Sequence, residues 1–590
     1  MTDSQAAEIP AENPVAATVP DPPRWLAWAG RRPRLLLALL GLLLWLPGVL
    51  SLPPLDRDES RFAQSSRQMV ESGNWVDIRF GHVPRYKKPI GIYWLQSAAT
   101  SVAGPFLGDV RRDNHIWTYR LPSLLGAIAA AWLTVWVAAA VTGAEGAFLA
   151  GLLMLGSVLL TAEATIATTD AVLLACVLAV QGVLLRLYRA ARDPTAPVPS
   201  RRLVLLGWAA CAAGILVKFP LVPGVALVTL IGLGGWDAWQ RRKSGEGAGL
   251  AWLKTTQPLR GVLLVLLLIL PWLVAITIQS QGAFLEQSLG NDFAAKLAGG
   301  QESHGMWPGY YLLLSAASFF PAILFVAPGI ALAFARRDEP AIRFLLAWAG
   351  AWWLVVELVP TKLPHYVLAS YPALAILGAM FVLDPRPVRF LTPARWIAIA
   401  QFVIGAGLFT AGIVVVPRYF GGGFWWPVLA AAGVGACVAV AALVLAILRK
   451  SVLSVMLGLL TMLVFVPALT TGVGPRLDQF WVTQKLKRLV EANARPGDAP
   501  PALAGYQEPS MLFALGRDVV LSDGAGVAEA RARAGGLALV EDEALGEFLA
   551  RLAELQADAT RIGDVSGFNY SRGRKVHVTL YRVAQLRELH

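Results

Sequence analysis

Thirteen apolar stretches, each close to the length that crosses a bilayer, dictate what this chain can fold into. A helix covers the hydrocarbon core with about 20 apolar residues. An open strand cannot, because lipid offers its backbone no hydrogen-bond partner. The stretches lie roughly at 35–53, 117–141, 147–165, 170–189, 203–218, 221–236, 261–279, 310–334, 342–359, 366–383, 395–416, 425–447 and 452–473. A fourteenth candidate, PIGIYWLQSAATSVAG at 89–104, is short and carries polar positions. Of the 590 residues 15% are charged, against roughly 25% in soluble chains. The expected fold is an α-helical polytopic membrane protein of about thirteen transmembrane helices.

Positive charge orients it. With 89–104 lying in the interface, alternate short loops hold most of the basic residues. These are Arg31, Arg32 and Arg34; Arg186, Arg189, Arg192, Arg201 and Arg202; Arg241, Arg242, Lys243, Lys254 and Arg260; Arg336, Arg337 and Arg343; Arg386, Arg389 and Arg395; and Arg449 with Lys450. The opposite short loops hold Lys218, Lys296, Lys362 and Arg418. A full span at 89–104 would invert every later loop. The N-terminus is therefore expected in the cytoplasm and the C-terminus outside. The net charge of +12 is spread as topology signals and makes no basic face on a soluble module, so nucleic acid is not an expected partner. Cys176, Cys211 and Cys437 fall inside apolar runs, which leaves no disulfide framework and no cysteine metal site to read. No Gly-rich phosphate loop is present, which argues against an ATP-driven pump.

The organisation is read in three parts. Residues 1–24, rich in Pro and Ala without periodicity, are expected as a disordered cytoplasmic head. Residues 25–474 carry the spans, the first being too long for a signal-peptide core and lacking a cleavage site. A long outer loop, 54–116, interrupts them early. In the tail, 475–590, 30 of 116 residues are charged, and the pattern is that of a small soluble α/β domain. A helix over QFWVTQKLKRLVEANA leads to the strand PALAGY, a helix at Pro509–Leu515 and strands DVVLS and LALVE. A helix near 544–557 and the strand KVHVTLYRV follow.

Chemistry-bearing residues gather on the outer side. Asp58, Glu59 and Arg61 open a helical run just past the first span. The acids suit a helix start, and Asp58 also suits a base able to take a proton from an attacking hydroxyl. Arg85, Tyr86, Lys87 and Lys88 cluster where positive charge is otherwise sparse, which fits a lipid phosphate at the interface or general attraction to anionic headgroups. Asp170 stands where one span ends and the next begins. It is a helix cap, a site carboxylate or both. Lys362, His365 and Tyr366 sit in an outer turn around Pro360 and Pro364, a plausible phosphate-binding arrangement at a helix start. Asp292, Lys296, Glu302 and His304 lie in a Gly-containing loop with the character of a flap.

Taken together and in order, LDRDESRFAQSSRQMVESGNWV, KKPIGIYWLQ, YRLPSLLGA, TTDAVLL and PTKLPHYVLASYPAL resemble the GT-C glycosyltransferases that use polyprenyl-phosphate sugars. The similar branch contains the aminoarabinose transferases of lipid A and the protein O-mannosyltransferases. The resemblance implies an inverting transferase in a bacterial inner membrane, with its C-terminal domain in the periplasm. It would take a polyprenyl-phosphate sugar donor and a lipid A-type or other envelope glycolipid acceptor. Asp58 takes the place of the family's first-loop acid and Asp170 that of the acid after the third span. Lys88, in the matched KP, would bind the donor phosphate, with Lys362 and His365 in a matching outer turn. Where the aminoarabinose transferases have an acidic residue associated with a metal, this chain has Lys87. That weakens both a metal and aminoarabinose, and favours a more anionic donor or acceptor.

The leaving group of such a reaction is a phosphate, so cations would stabilise the charge that builds on it. Lys88 stands first, then Lys87, Arg61 or Lys362. No nucleotide, cofactor or divalent metal is required. A protein acceptor is the alternative within the family. A secondary transporter is the rival of another class, with Glu357 as its best residue, but transporters place ionisable groups at mid-membrane and often show two similar halves.

Overall fold

The computed structural model describes residues 23–106, 114–244, 249–288 and 305–585. Most of the expected head, 1–22, and the loop with Asp292, Lys296, Glu302 and His304 lie outside the described residues. The described residues open with α1 (Arg24–Arg31) and α2 (Pro33–Ser51), the latter opened by Pro33, whose missing N–H costs nothing at a first turn. After it come α3 (Asp58–Ser72), a short hairpin of β1 (Arg79–Phe80) and β2 (Val83–Pro84), and α4 (Gly91–Ala103). Gly73, at φ 67°, ends α3 in the left-handed conformation that glycine adopts without strain.

The remaining apolar helices are α5 (Ile116–Ala138), α6 (Ala144–Leu155), α7 (Val158–Thr165), α8 (Asp170–Ala190), α9 (Arg201–Lys218), α10 (Leu221–Ser244) and α11 (Pro258–Gln279). Then follow α12 (Tyr310–Ser318), α13 (Ile323–Ala335), α14 (Pro340–Leu358), α15 (Tyr371–Leu383), α16 (Leu391–Tyr419), α17 (Trp426–Ile447) and α18 (Ser451–Pro467). Among the described residues ten helices are long and apolar enough to cross a membrane, and α6 with α7, bent by 62°, make an eleventh. The chain is a multi-pass membrane protein. Two of the expected stretches form helices that fall short of that measure. One is α9, whose 18 residues include Arg201, Arg202 and Lys218. The other is broken into α12 and α13 around Pro321. The segment 89–104 gives α4, whose 13 residues are too few to cross.

Past the spans the chain makes α19 (Val482–Asn493) and a five-stranded sheet in the order β4-β3-β5-β7-β6. Strands β3 (Ala502–Ala504), β4 (Val520–Ser522) and β5 (Gly536–Glu541) are parallel, and β7 (Arg574–Val583) runs antiparallel to both β5 and β6 (Ala559–Asn569). Helices α20 (Pro509–Leu515), α21 (Gly524–Ala534) and α22 (Asp542–Glu554) complete it, with an apolar core on each face of the sheet. The sequence reading omits α21 and β6. Strand β6 is an edge whose ATRIGDVSGFN alternates poorly and carries two glycines, and α21 is mostly Ala, Gly and Arg.

This sheet unit sits on the first loop. The Asp56 N–H donates to the Tyr570 hydroxyl at 2.7 Å, and Arg67 donates to the Phe513 carbonyl at 3.2 Å. The Phe513 ring stands edge-on to Tyr119, centroids 5.7 Å apart. Gly81 passes so close to Leu512 that a Cβ there would meet it at 3.1 Å.

Candidate functional site

The site is built on one sealed ion pair. Arg120, on α5, is fully buried, and Glu59, in the first turn of α3, is 2% exposed. The guanidinium holds both carboxylate oxygens at 2.8 Å and gives its other N–H groups to the carbonyls of Val49 (3.0 Å), Leu52 (2.7 Å) and Pro53 (3.0 Å). All five donors are used, and carbonyls left open at the end of α2 are satisfied. Glu59 also accepts the N–H of Ala167 at 2.7 Å and of Leu55 at 2.8 Å. The pair thus joins the end of α2, the start of α3, α5 and the turn that precedes Asp170.

Next to it is a cluster of opposite character. Asp58, beside Glu59 in sequence, turns outward with its side chain 68% exposed, 3.6 Å from Arg61. Asp170 opens α8 and accepts from Lys218 Nζ at 2.7 Å and Thr169 Oγ1 at 2.8 Å, with His365 Nε2 3.9 Å away. Lys218, at the end of α9, also stands 5.9 Å from the ring of Tyr366. Glu163, on α7, accepts from Thr168 Oγ1 at 2.7 Å. The charges of Asp58, Lys88, Asp170 and Lys218 all act on His365, and Glu163 feels Asp58, Asp170 and Lys218. Three carboxylates, two lysines and a histidine therefore converge where α7, α8, α9 and the turn Pro364–Ser370 meet α3. A narrow recess between Asp170, His365, Leu221 and Leu368 opens there. An exposed carboxylate beside partly buried cations can take a proton while the cations hold anionic oxygens.

The sequence-based candidates divide accordingly. Asp58, Lys88, Asp170 and His365 come together, with Arg61 and Tyr366 at the edge. Arg85 stacks 5.6 Å over Phe62 and faces the Tyr93 hydroxyl, which also feels Asp58. Lys87 is exposed. Glu59 is corrected: it is locked by Arg120 and offers no free oxygen face to a ligand. Tyr86 is corrected too, since its hydroxyl donates to buried Asp77 at 2.9 Å. Burial and that carboxylate push its phenol up to about 12, so it stays a neutral strut. Lys362 is the third correction. It is 4% exposed, and its ammonium donates to the carbonyls of Val356 (2.9 Å), Glu357 (2.5 Å) and Val359 (2.8 Å). Those bonds close the end of α14 and leave it no proton for a phosphate. Glu357, the transporter-like residue, accepts the N–H of Gly309 at 2.9 Å and of Tyr311 at 3.2 Å, holding the start of α12. His304 lies outside the described residues.

Sequence reasoning missed Arg120, Glu163 and Lys218. Each is an ionisable residue inside or at the end of an apolar stretch, which is itself a signal of function or pairing. Among the described residues no three His, Cys, Asp or Glu side chains are grouped to hold a metal ion.

Residues 49–282 match the family model of dolichyl-phosphate-mannose-protein mannosyltransferases. The undecaprenyl phosphate-alpha-4-amino-4-deoxy-L-arabinose arabinosyl transferase of Edwardsiella ictaluri (strain 93-146) is 25% identical over 58% of this chain and 56% of its own length. That of Pseudomonas fluorescens (strain Pf0-1), transferase 1, is 27% identical over 60% of this chain and 57% of its own. The match thus spans a little over half the length of these relatives. Among solved structures, ArnT from Cupriavidus metallidurans in the apo state superposes with a TM-score of 0.71 at 18% identity, covering 95% of this chain and 98% of that one. The same protein bound to undecaprenyl phosphate gives 0.67 at 19% identity, over 93% and 98%. At that identity the likeness is one of fold.

Proposed function

We propose that this chain, a relative of the GT-C polyprenyl-phosphate-sugar transferases, is an inverting glycosyltransferase. It moves a sugar from a polyprenyl-phosphate donor to a lipid A-type or other envelope glycolipid on the outer face of a bacterial inner membrane. The observation that carries this reading is the contrast between exposed Asp58 and the cation-bound Asp170 within one cluster. Asp58 is free to take the proton of an acceptor hydroxyl. Asp170 is already committed to Lys218, with the His365 ring beside it, and it holds that ammonium, with Lys88, against the donor phosphate. As the bond from sugar to phosphate breaks, charge builds on the phosphate oxygens and these groups stabilise it. If the acceptor is itself a phosphate, no base is needed and Asp58 orients groups instead.

The reading keeps thirteen spans, counting α9 and the α12–α13 pair. It places the N-terminus in the cytoplasm, the transmembrane catalytic part at 25–474 and a periplasmic domain at 475–590. The similarity to undecaprenyl-phosphate aminoarabinose transferases and to ArnT bound to undecaprenyl phosphate supports the donor class, and Lys87 at an exposed position of the first loop supports an anionic partner.

The test is transfer by the purified chain in lipid, given labelled polyprenyl-phosphate sugars with lipid A-type acceptors and with acceptor proteins. Transfer that is lost in Asp58→Asn identifies the donor and supports the reading, and the acceptor arm that becomes labelled separates glycolipid from protein. No transfer from any donor, with the fold intact, overturns it.

A further inference from the structure

The helices that carry the site carry a second charge cluster at their other ends. The 21 residues of α8 separate Asp170 from this region by about 30 Å at 1.5 Å per residue. There Asp237, on α10, is 3% exposed and faces two guanidinium groups, Arg192 in direct contact and Arg343 at 3.7 Å. Arg192 is well occupied, since it also stacks 3.6 Å over Tyr188. Arg343, on α14, is less fully so, though it also acts on Tyr188. It is 6% exposed, donates to the Asp338 carbonyl at 3.1 Å, and its Nε has no partner among the described residues. The indole N–H of Trp236 is also buried without an acceptor there, and the Arg343 guanidinium lies 5.8 Å from the Trp236 ring. Two arginines on one carboxylate leave a surplus positive charge, and unmet buried donors are costly.

Beside this cluster runs an apolar cleft of about 380 Å³, whose wall includes Trp236 itself and Leu346 and Ala347, one turn along α14 from Arg343. It continues past Gly350 and Trp353 toward mid-helix. Phe334 and Ile397 on its lip are each 52% exposed, on the lipid-facing surface of the spans. Arg343 does not itself line the cleft but stands 5.8 Å from the ring of Trp236, which does. Surplus positive charge thus borders one end of an open apolar slot, the polarity of a lipid with its head at one end and its tail along the other.

We propose that this cleft binds an anionic glycerophospholipid of the leaflet opposite the site, its phosphate on Arg343 and an acyl chain along α14. Guanidinium groups suit phosphate oxygens through paired N–H donors, and basic pockets between spans on the positively charged face are where such headgroups are held. The inference goes beyond the transferase reading and does not depend on it.

Native mass spectrometry of the purified full chain, reconstituted with mixed phosphatidylglycerol and phosphatidylcholine, tests it. The wild type retains phosphatidylglycerol in preference to phosphatidylcholine. Arg343→Gln lowers that retention about tenfold or more, the factor a charge-assisted hydrogen bond commands. Gly350→Leu fills the slot instead, and a Cβ there meets nothing within 4 Å, so the helix tolerates it. If Arg343→Gln fails to fold, Gly350→Leu decides alone. Equal retention of both lipids, retention unchanged in the folded variants, or a polyprenyl chain held in place of a phospholipid overturns the proposal.

Discussion

Two charge clusters share the start of α3, and they are built to opposite rules. The Glu59–Arg120 cluster is closed, with every guanidinium N–H used and no side chain more than 2% exposed. The cluster of Asp58, Lys88, Glu163, Asp170, Lys218 and His365 keeps one carboxylate in the open. The closed one fixes backbone; the open one leaves a carboxylate, Asp58, facing solvent beside paired charges. Neighbouring residues of one helix turn, Asp58 and Glu59, are thereby divided between exposure and architecture.

Breaking the closed cluster should have the largest effect. Arg120→Met leaves a buried carboxylate unpaired and should cost about 3–5 kcal/mol of stability, seen as a lower melting temperature in detergent with transfer lost alongside. Asp58→Asn should cut transfer by about 10²–10⁴-fold while melting stays at the wild-type value. If both variants lowered melting alike, the distinction between the clusters would collapse.

A smaller effect comes from Asp56, between the two clusters and the sheet unit. Burial raises its carboxyl from 3.8 to about 6, with the Glu508 charge adding to the rise. The docked state therefore holds the proton more tightly than the released one. Docking is strongest below the released pKa of 3.8, weakens as pH rises toward about 6, and is level beyond. Asp56→Asn should flatten that slope and tighten docking near neutral pH by up to about 3 kcal/mol. Hydrogen exchange in β6 and α20, measured on both sides of the window, reads it out. The smallest effect sits at the exposed rim. Lys87→Glu should lower transfer several-fold more than Lys87→Ala, and equal activities in a kinetic comparison would remove Lys87 from the recognition of an anionic partner.

Much of the architecture is legible because lipid enforces it. Hydrophobic length places α2, α5, α8, α10, α11 and α14 to within a few residues, apart from the inner end of α10, which runs on through its basic residues. Breaks in the middle of a span are not legible this way, since Gly156 and Pro321 are ordinary residues of apolar runs. In the site, Asp58, Lys88, Asp170 and His365 are visible because they stand at outer ends near other charges. The fates of Glu59 and Lys362 are not, because they depend on partners set by tertiary packing. Glu59 meets Arg120 across 61 residues, and no periodicity encodes that meeting. Lys362 turns back onto the helix before it, a local choice that the prolines beside it conceal.

The bond between Asp56 and Tyr570 joins positions 514 residues apart. At about 5–20 residues per second of synthesis, the first loop emerges roughly half a minute to two minutes before the residue that caps it. During that interval the newborn chain holds Asp56 and the loop around it without the sheet unit that packs on them. The order of manufacture thus makes the last tenth of the polypeptide a checkpoint: a truncated product inserts its spans but never closes its outer face.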